Sequence, residues 1–404
     1  MGIGLRGLWI AVALSIAPPA GGRGVPGLGG GTAGVLGSAA AKRTTIRDSR
    51  LQTQGVHFLR DGQPFDWRGI SAFRIVEMEA HGRHAEVARY LDWAAAHHVT
   101  VIRVFSMARH LFDLSPADGL TVLPQVLEQA GARQIHVEIV ALVDTGAIQV
   151  DLDAHVKAIG AIAAAHPNAI VEIANEPAHP TQRNEVHDPR VLQRLRTLIP
   201  EVVPVAFGSA EEDGAYSGGS FATMHFPRAG GPSGWRHVVT LAEGAGLSRI
   251  WNKPVVNDEP IGAAEQPIPG RRDSAPARFR AAGLVTRLAG MGGTFHYEGG
   301  LQARIPAGRE LECFEAWNSA WDLLGPGVER QGVFSAAGEA GAAVMSYSRE
   351  HAAGVFERRS DAAAWVLAVD VTADPSIRWR AGWKEVSVRR LEGVWLLTAR
   401  RAVK

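Results

Sequence analysis

Two glutamates each close a short apolar run and stand where a loop begins: Glu176 in Ile173-Ala174-Asn175-Glu176-Pro177 and Glu259 in Val256-Asn257-Asp258-Glu259-Pro260. Paired carboxyl groups on either side of one bond can divide the work of breaking an acetal link. One protonates the leaving oxygen and the other meets the electron-poor carbon. Phe73, Arg103, Asn175, His225 and Tyr297 stand at or beside the ends of other runs, with Trp235 a little further along. Arg103, His225 or Tyr297 can hold a neighbouring carboxylate ionised, and Asn175 can hydrogen-bond a hydroxyl. Phe73, Phe226, Trp235 and Tyr297 offer aromatic faces, whereas Trp317 and Trp321, four apart on a helical stretch, read as core. Asp144 reads as an outer hydrogen bonder or, more simply, as a helix cap before Ala147. No Ser/His/Asp or cysteine nucleophile arrangement is evident and no H-E-x-x-H occurs, so neither a metal nor a cofactor is expected. A Schiff-base lysine is not placed either, since Lys253 begins its run and Lys157 lies in a helical stretch.

Glu176 and Glu259 meet only if the fold carries both run ends to one place. Eight apolar runs of strand length (65–71, 99–105, 135–143, 169–174, 202–207, 221–226, 253–258 and 293–297) alternate with amphipathic stretches such as Val87-Tyr90-Leu91-Ala94. Parallel strands need such crossovers, and eight units at roughly thirty-residue spacing predict an α/β fold, a (β/α)8 TIM barrel. Chemistry in such a barrel belongs at the C-terminal strand ends, where these residues stand. The fifth unit leaves room only for a short helix between Ser209 and Ser220. A nucleotide-binding open sheet is disfavoured, because no G-x-G-x-x-G follows the first run and no G-x-x-x-x-G-K-[ST] occurs.

The ends of the chain read differently. Residues 1–45 have the pattern of an export signal with a Gly-rich linker, 46–330 form the barrel, and 331–404 read as a small C-terminal β module that docks on it. Hydrophobic residues at 46% and charged residues at 21% suit a globular protein, and a formal charge of +1 gives no reason to expect nucleic acid. Cys313, the single cysteine, can hold neither a disulfide nor a thiolate metal site. No later apolar run reaches the roughly 18 residues of a membrane span. The expectation is a monomer, secreted or periplasmic, whose partner is an oligo- or polysaccharide.

At Asn175-Glu176-Pro177 the fourth run resembles strand four of the retaining glycoside hydrolases of clan A, the cellulase-like, family five-type barrels. Residues 253–259 are similar to their seventh strand, which ends in the nucleophile. Arg68-Gly69, Arg103, His225 and the aromatics after the eighth run extend the resemblance over most of 55–326. Two departures stand out: Asp258-Glu259-Pro260 where Glu-aromatic-Gly is usual, and His296-Tyr297-Glu298 where a Trp is usual. The resemblance implies retaining double displacement on a β-linked glycan, with Glu259 as nucleophile and Glu176 as acid and then base, about 5 to 5.5 Å apart. Burial and the Glu259 charge are expected to keep Glu176 protonated. The competing reading is a catalytically decayed barrel acting as a carbohydrate-binding protein; the presence of both carboxylates favours the enzyme.

Overall fold

All eight strand-length runs become strands of one parallel sheet. The structure, a computed structural model, describes residues 50–210, 214–225, 228, 234–336, 344–346, 352, 354–373 and 378–402. The strands are β1 (Arg68–Ser71), β2 (Val101–Phe105), β3 (His136–Leu142), β4 (Ala169–Ala174), β5 (Val205–Ala206), β6 (Ala222–Met224), β7 (Val255–Asn257) and β8 (Gly292–Phe295). Their order is β5-β4-β3-β2-β1-β8-β7-β6. A parallel bridge between Ser209 and Thr223, with the Ala210 N–H donating to the Thr223 carbonyl at 2.8 Å, closes the seam between β5 and β6. The result is a (β/α)8 barrel.

Between the strands lie α1 (His84–Ala96), α2 (Pro116–Gly131), α3 (Leu152–Ala165), α4 (Pro189–Arg196), α5 (Glu243–Trp251) and α6 (Pro276–Ala289), and α7 (Gly308–Asn318) follows β8. Spacing explains their faces: α1 buries Val87, Tyr90, Leu91 and Ala94. Ser115 and Asp151 start α2 and α3 by accepting the N–H of Asp118 and Ala154. After β5 no helix occurs among the described residues; the short segment returns by an antiparallel bridge between Ala206 and Gly219.

Alternation along each strand sends every second side chain into the barrel. The lowest layer is apolar: Val101, Ile170, Ala206, Phe221 and Val256 cluster with Trp67, and with Leu51 and Phe58 from the N-terminal hairpin region. One step further along β2, β3 and β4 come Arg103, Glu138 and Glu172, all fully buried. An apolar floor thus underlies a charged layer, with the C-terminal rim above it.

The C-terminal sheet comprises β9 (Val333–Ala336), β10 (Gly354–Arg359), β11 (Ala363–Val369), β12 (Trp383–Leu391) and β13 (Val394–Arg401), in the antiparallel order β9-β10-β11-β13-β12. One face shares the barrel's core through Phe334, Phe356, Leu367, Val369, Val394 and Leu396. Arg358 of β10 also donates to the Val328 carbonyl at 3.0 Å and to that of Glu329. The other face has its own cluster around Val344, Val355, Val366 and Leu397. The leader at 1–45 lies outside the described residues, and no helix of the described residues is long and apolar enough to cross a membrane.

The boundary at residue 330 is therefore proposed as a change of sequence texture and not as a break in the core. Ending the chain after Gly327 strips β9, β10 and β11 from α6. Each of the six core side chains lost contributes about 1.5–3 kcal/mol, together comparable with the roughly 5–15 kcal/mol that holds a domain folded. The truncated chain is expected to be insoluble, or to melt well below the full chain in a thermal scan. A soluble truncation with an unchanged melting temperature contradicts the shared core.

Candidate active site

Strand alternation decides which groups reach the rim: Arg103 from β2, Asn175 and Glu176 after β4, His225 after β6, Asp258 and Glu259 after β7, and His296 after β8. Arg103 is the hub. Its Nη1 donates to Glu259 Oε2 at 2.8 Å, its Nε and Nη2 to Glu172 Oε2 at 2.9 and 2.8 Å, and its Nη2 to Asn175 Oδ1 at 2.9 Å. Asp258 Oδ2 lies 3.0 Å from Nε. Phe73 and Phe105, stacked at 4.1 Å, lie 5.2 and 5.8 Å from the guanidinium carbon. Phe73 is therefore a buried seat for Arg103 and presents no open face to a ligand.

The turn that carries Glu176 is held in an unfavourable conformation. Glu176 has φ +42°, a left-handed value that costs a side-chain-bearing residue about 1–3 kcal/mol. Neighbours pin it: the Asn175 N–H donates to the Leu142 carbonyl at 3.0 Å, and Gln182 Nε2 donates to the Asn175 carbonyl at 2.6 Å. Gly208, at φ +144°, passes so close that a Cβ there would come within 2.2 Å of the Ala174 carbonyl oxygen and 2.8 Å of Pro177. So placed, Glu176 Oε1 lies 3.1 Å from His225 Nδ1 and 3.3 Å from Arg228 Nη2. The same Arg228 nitrogen is 3.0 Å from Glu259 Oε1. Oxygens of Glu176 and Glu259 come within 4.8 Å of one another. That is close to the roughly 5–5.5 Å of retaining pairs and short of the roughly 6.5–9.5 Å of inverting ones.

Both ring nitrogens of His225 face carboxylates, Nε2 lying 3.4 Å from Asp258 Oδ1. Burial opposes its charge, but Asp258 and Glu259 outweigh burial and push the imidazole up to about 10, so it is cationic at neutral pH. Burial alone would raise Glu176 as well, yet the His225 hydrogen bond and the charges of His225 and Arg228 bring it down to about 2. These surroundings favour the charged form of Glu176 beside a charged His225, against the expectation that Glu176 holds its own proton. Glu259 is likewise held far below the ordinary range by His225, Arg228 and Arg103, against its burial.

One layer down the balance reverses. Burial lifts Glu172 to about 8 although Arg103 opposes it, and lifts Glu138, aided by Asp258 and Glu172, well above its ordinary value. Neither carboxyl oxygen of Glu138 has a hydrogen-bond partner among the described residues. Asp258 is held below its ordinary range by Arg103 and His225 despite complete burial.

Other residues singled out from the sequence fall as follows. Asn175 gives Oδ1 to Arg103 and keeps its Nδ2 donor uncommitted among the described residues. Tyr297 is buried, with its hydroxyl 3.1 Å from that of Tyr90 and donating to the Arg304 carbonyl, so it braces the loop after β8 and does not touch Glu259. Its neighbour His296 is on the site side, its Nδ1 2.9 Å from Ser71 Oγ, driven by burial down to about 3 and so neutral. Trp235 is also buried, and a Cβ on Gly393, in the β12–β13 turn, would come 2.8 Å from its ring. Phe226 lies outside the described residues. Asp144 does not cap with its side chain: Oδ2 accepts the N–H groups of Arg109 and His110, both at 3.0 Å, while Ala147 N–H goes to the Asp144 carbonyl. Trp317 and Trp321 pack in the core 4.7 Å apart, as their spacing implied.

Glu138, Glu172 and Arg228 were not singled out from the sequence. The two glutamates carried a signal, since each sits two residues past an inward-facing residue in the middle of an apolar strand. Arg228, in a loop, carried none. Glu172, His225 and Asp258, and separately Glu176, His225 and Glu259, have ligand atoms close enough to share a metal ion. In both groups a guanidinium already stands 2.8 to 3.3 Å from the carboxylates.

No family model and no curated protein matches the sequence. Solved structures do match in shape. A glycoside hydrolase family 5 structure from Bacteroides vulgatus is 12% identical, covering 91% of this chain and 96% of its own, with a TM-score of 0.58. A family 5 mannosidase from Rhizomucor miehei is 10% identical over 70% of this chain and 99% of its own, and a β-glucanase from Saccharophagus degradans in complex with cellotetraose is 12% identical over 70% and 96%, both with TM-scores of 0.52. The fold is that of the family 5, cellulase-like barrels, as the motifs at Glu176 and Glu259 implied.

The lower layer makes a signed prediction. A carboxyl raised from about 4.3 to about 8 keeps a proton in the folded state that the unfolded chain has lost, so its contribution to stability declines as pH rises between those values. Glu172→Gln removes that decline while keeping the shape. The melting temperature of the variant, followed from pH 5 to pH 8, is expected to gain on the parent steadily toward the alkaline end; parallel curves contradict the assignment.

Proposed function

We propose that the chain is a retaining glycoside hydrolase acting on a β-linked glycan, with Glu259 as nucleophile and Glu176 as acid and base. The carrying observation is the close approach of the two carboxylates at the rim, with Arg103 beneath Glu259. An ionised Glu259 oxygen attacks the anomeric carbon as the bond to the leaving oxygen breaks. That oxygen needs a proton, and the nearest store is His225 Nδ1, 3.1 Å from Glu176. Glu176 first takes the proton from His225 and then passes it to that oxygen, and in the second step it accepts the proton of the water that releases the sugar and returns it to His225. Asn175 Nδ2 holds a sugar hydroxyl. The mannosidase and the cellotetraose-bound glucanase that share the fold support a hexose-based glycan as substrate class.

Arg228, bridging both carboxylates, favours one other reading, a barrel that binds sugar without cleaving it. Hydrolysis separates the two. Proton NMR during turnover of aryl glycosides is expected to show product first appearing with the substrate's anomeric configuration; first-formed inverted product rejects double displacement, and no turnover of any aryl glycoside or polysaccharide favours binding alone. Glu176→Gln is expected to slow substrates with poor leaving groups by about a hundredfold or more, and activated aryl glycosides far less. Equal losses on both remove Glu176 from the acid role.

A further inference from the structure

His225, Arg228 and Arg103 hold Glu259 ionised, and the charge of Glu259 also acts on one further guanidinium, Arg272. Arg228 spans Glu259 and Glu176. Arg272 lies on a short strand, Arg272–Asp273, which pairs in parallel with Gly262–Ala263 just beyond β7. A Cβ placed on Gly262 would meet His296 Cδ2 at 3.0 Å and Arg272 Nη1 at 3.4 Å, so the guanidinium and the neutral imidazole converge on one spot of the wall. Arg272 is partly buried, and the charges acting on it include Glu298, Glu259 and Arg228. Among the described residues its side chain makes one hydrogen bond, from Nη1 to the Arg271 carbonyl at 3.1 Å, and no ion pair.

We propose that this wall binds an anionic substituent, a carboxylate or a sulfate ester, on the sugar that Glu259 attacks, with Arg272 as the main contact and Arg228 as the second. The placement of the sugar rests on the glycosidase reading above. A neutral sugar would cover Arg272 and leave most of its donors without partners, which is costly once water is excluded. A guanidinium fork matches a planar carboxylate in two parallel hydrogen bonds, and an anion is the group that offsets its charge. The same anion has a use for Arg228. For Glu176 to take up a proton, Arg228 must leave it, and an oxyanion on the substrate offers a partner to which it can move. Binding of the substrate would then itself release Glu176 to receive the His225 proton.

The test compares neutral, uronic acid and 6-sulfated 4-nitrophenyl glycosides in matched gluco, manno and galacto series. In at least one series kcat/KM is expected to be about tenfold or more higher for an anionic member than for its neutral counterpart, and the uronic acid and sulfate arms show which anion is read. Arg272→Gln should collapse that ratio by about tenfold, and Arg272→Lys should restore part of it. Neutral members turned over as well as the anionic ones, or a ratio that Arg272→Gln leaves alone, overturns the proposal. Calorimetry with hexuronate and neutral oligosaccharides on the Glu259→Gln protein keeps the two readings separate. Arg272-dependent binding of the hexuronate in a protein whose parent hydrolyses nothing supports this site and removes the glycosidase reading, while hydrolysis of neutral glycosides with no binding of anionic ones removes this site and leaves the glycosidase.

Discussion

One buried guanidinium organises the site. Arg103, without solvent contact, joins β2 to β4 through Glu172, to the turn after β4 through Asn175, and to the end of β7 through Asp258 and Glu259. Stripping water from so many charges is expensive, and the arrangement is stable because each is matched by another at hydrogen-bond distance. The apolar floor of Val101, Ile170, Phe221 and Val256 keeps water from entering below, so the interaction operates at low dielectric and fixes geometry strongly. Phe73 and Phe105, stacked on one another, pack beside the guanidinium.

From this follows a vertical division of protons. Near the rim, His225 and Arg228 join Arg103, and Glu176 and Glu259 are both ionised. Below, where Arg103 is the nearest cation, Glu172 and Glu138 stay neutral at low and middle pH. On the proposed reading Glu259 is thereby prepared as the nucleophile while the proton needed for acid catalysis waits on His225. In the proposal made above, a charged substrate that draws Arg228 away would supply the missing step and tie substrate choice to the onset of acid catalysis.

Much of this was legible in the sequence. Eight apolar runs and the three-and-four spacing between them carry the barrel, because parallel strands buried on both faces have little freedom of composition. The pair Glu176 and Glu259 followed from their place at the ends of the fourth and seventh runs. What failed did so for local reasons. Tyr297 and His296 are adjacent, and strand alternation sends His296 to the site and Tyr297 to Tyr90. Trp235 looked like a sugar platform until the β12–β13 turn covered it. The ionisation of Glu176 depends on a histidine held between three carboxylates, an arrangement that forms only when the ends of β4, β6 and β7 come together.

The central claim, that Arg103 and its neighbours prepare Glu259 for covalent attack, is tested most directly by trapping. Incubation with activated 2-deoxy-2-fluoro glycosides across the neutral and uronic acid series, followed by peptide mapping in a mass spectrometer, should find one sugar on the peptide containing Glu259, with fragmentation placing it on that side chain. Label on Asp258 or Glu298, or turnover that leaves no labelled peptide in any series, contradicts the account.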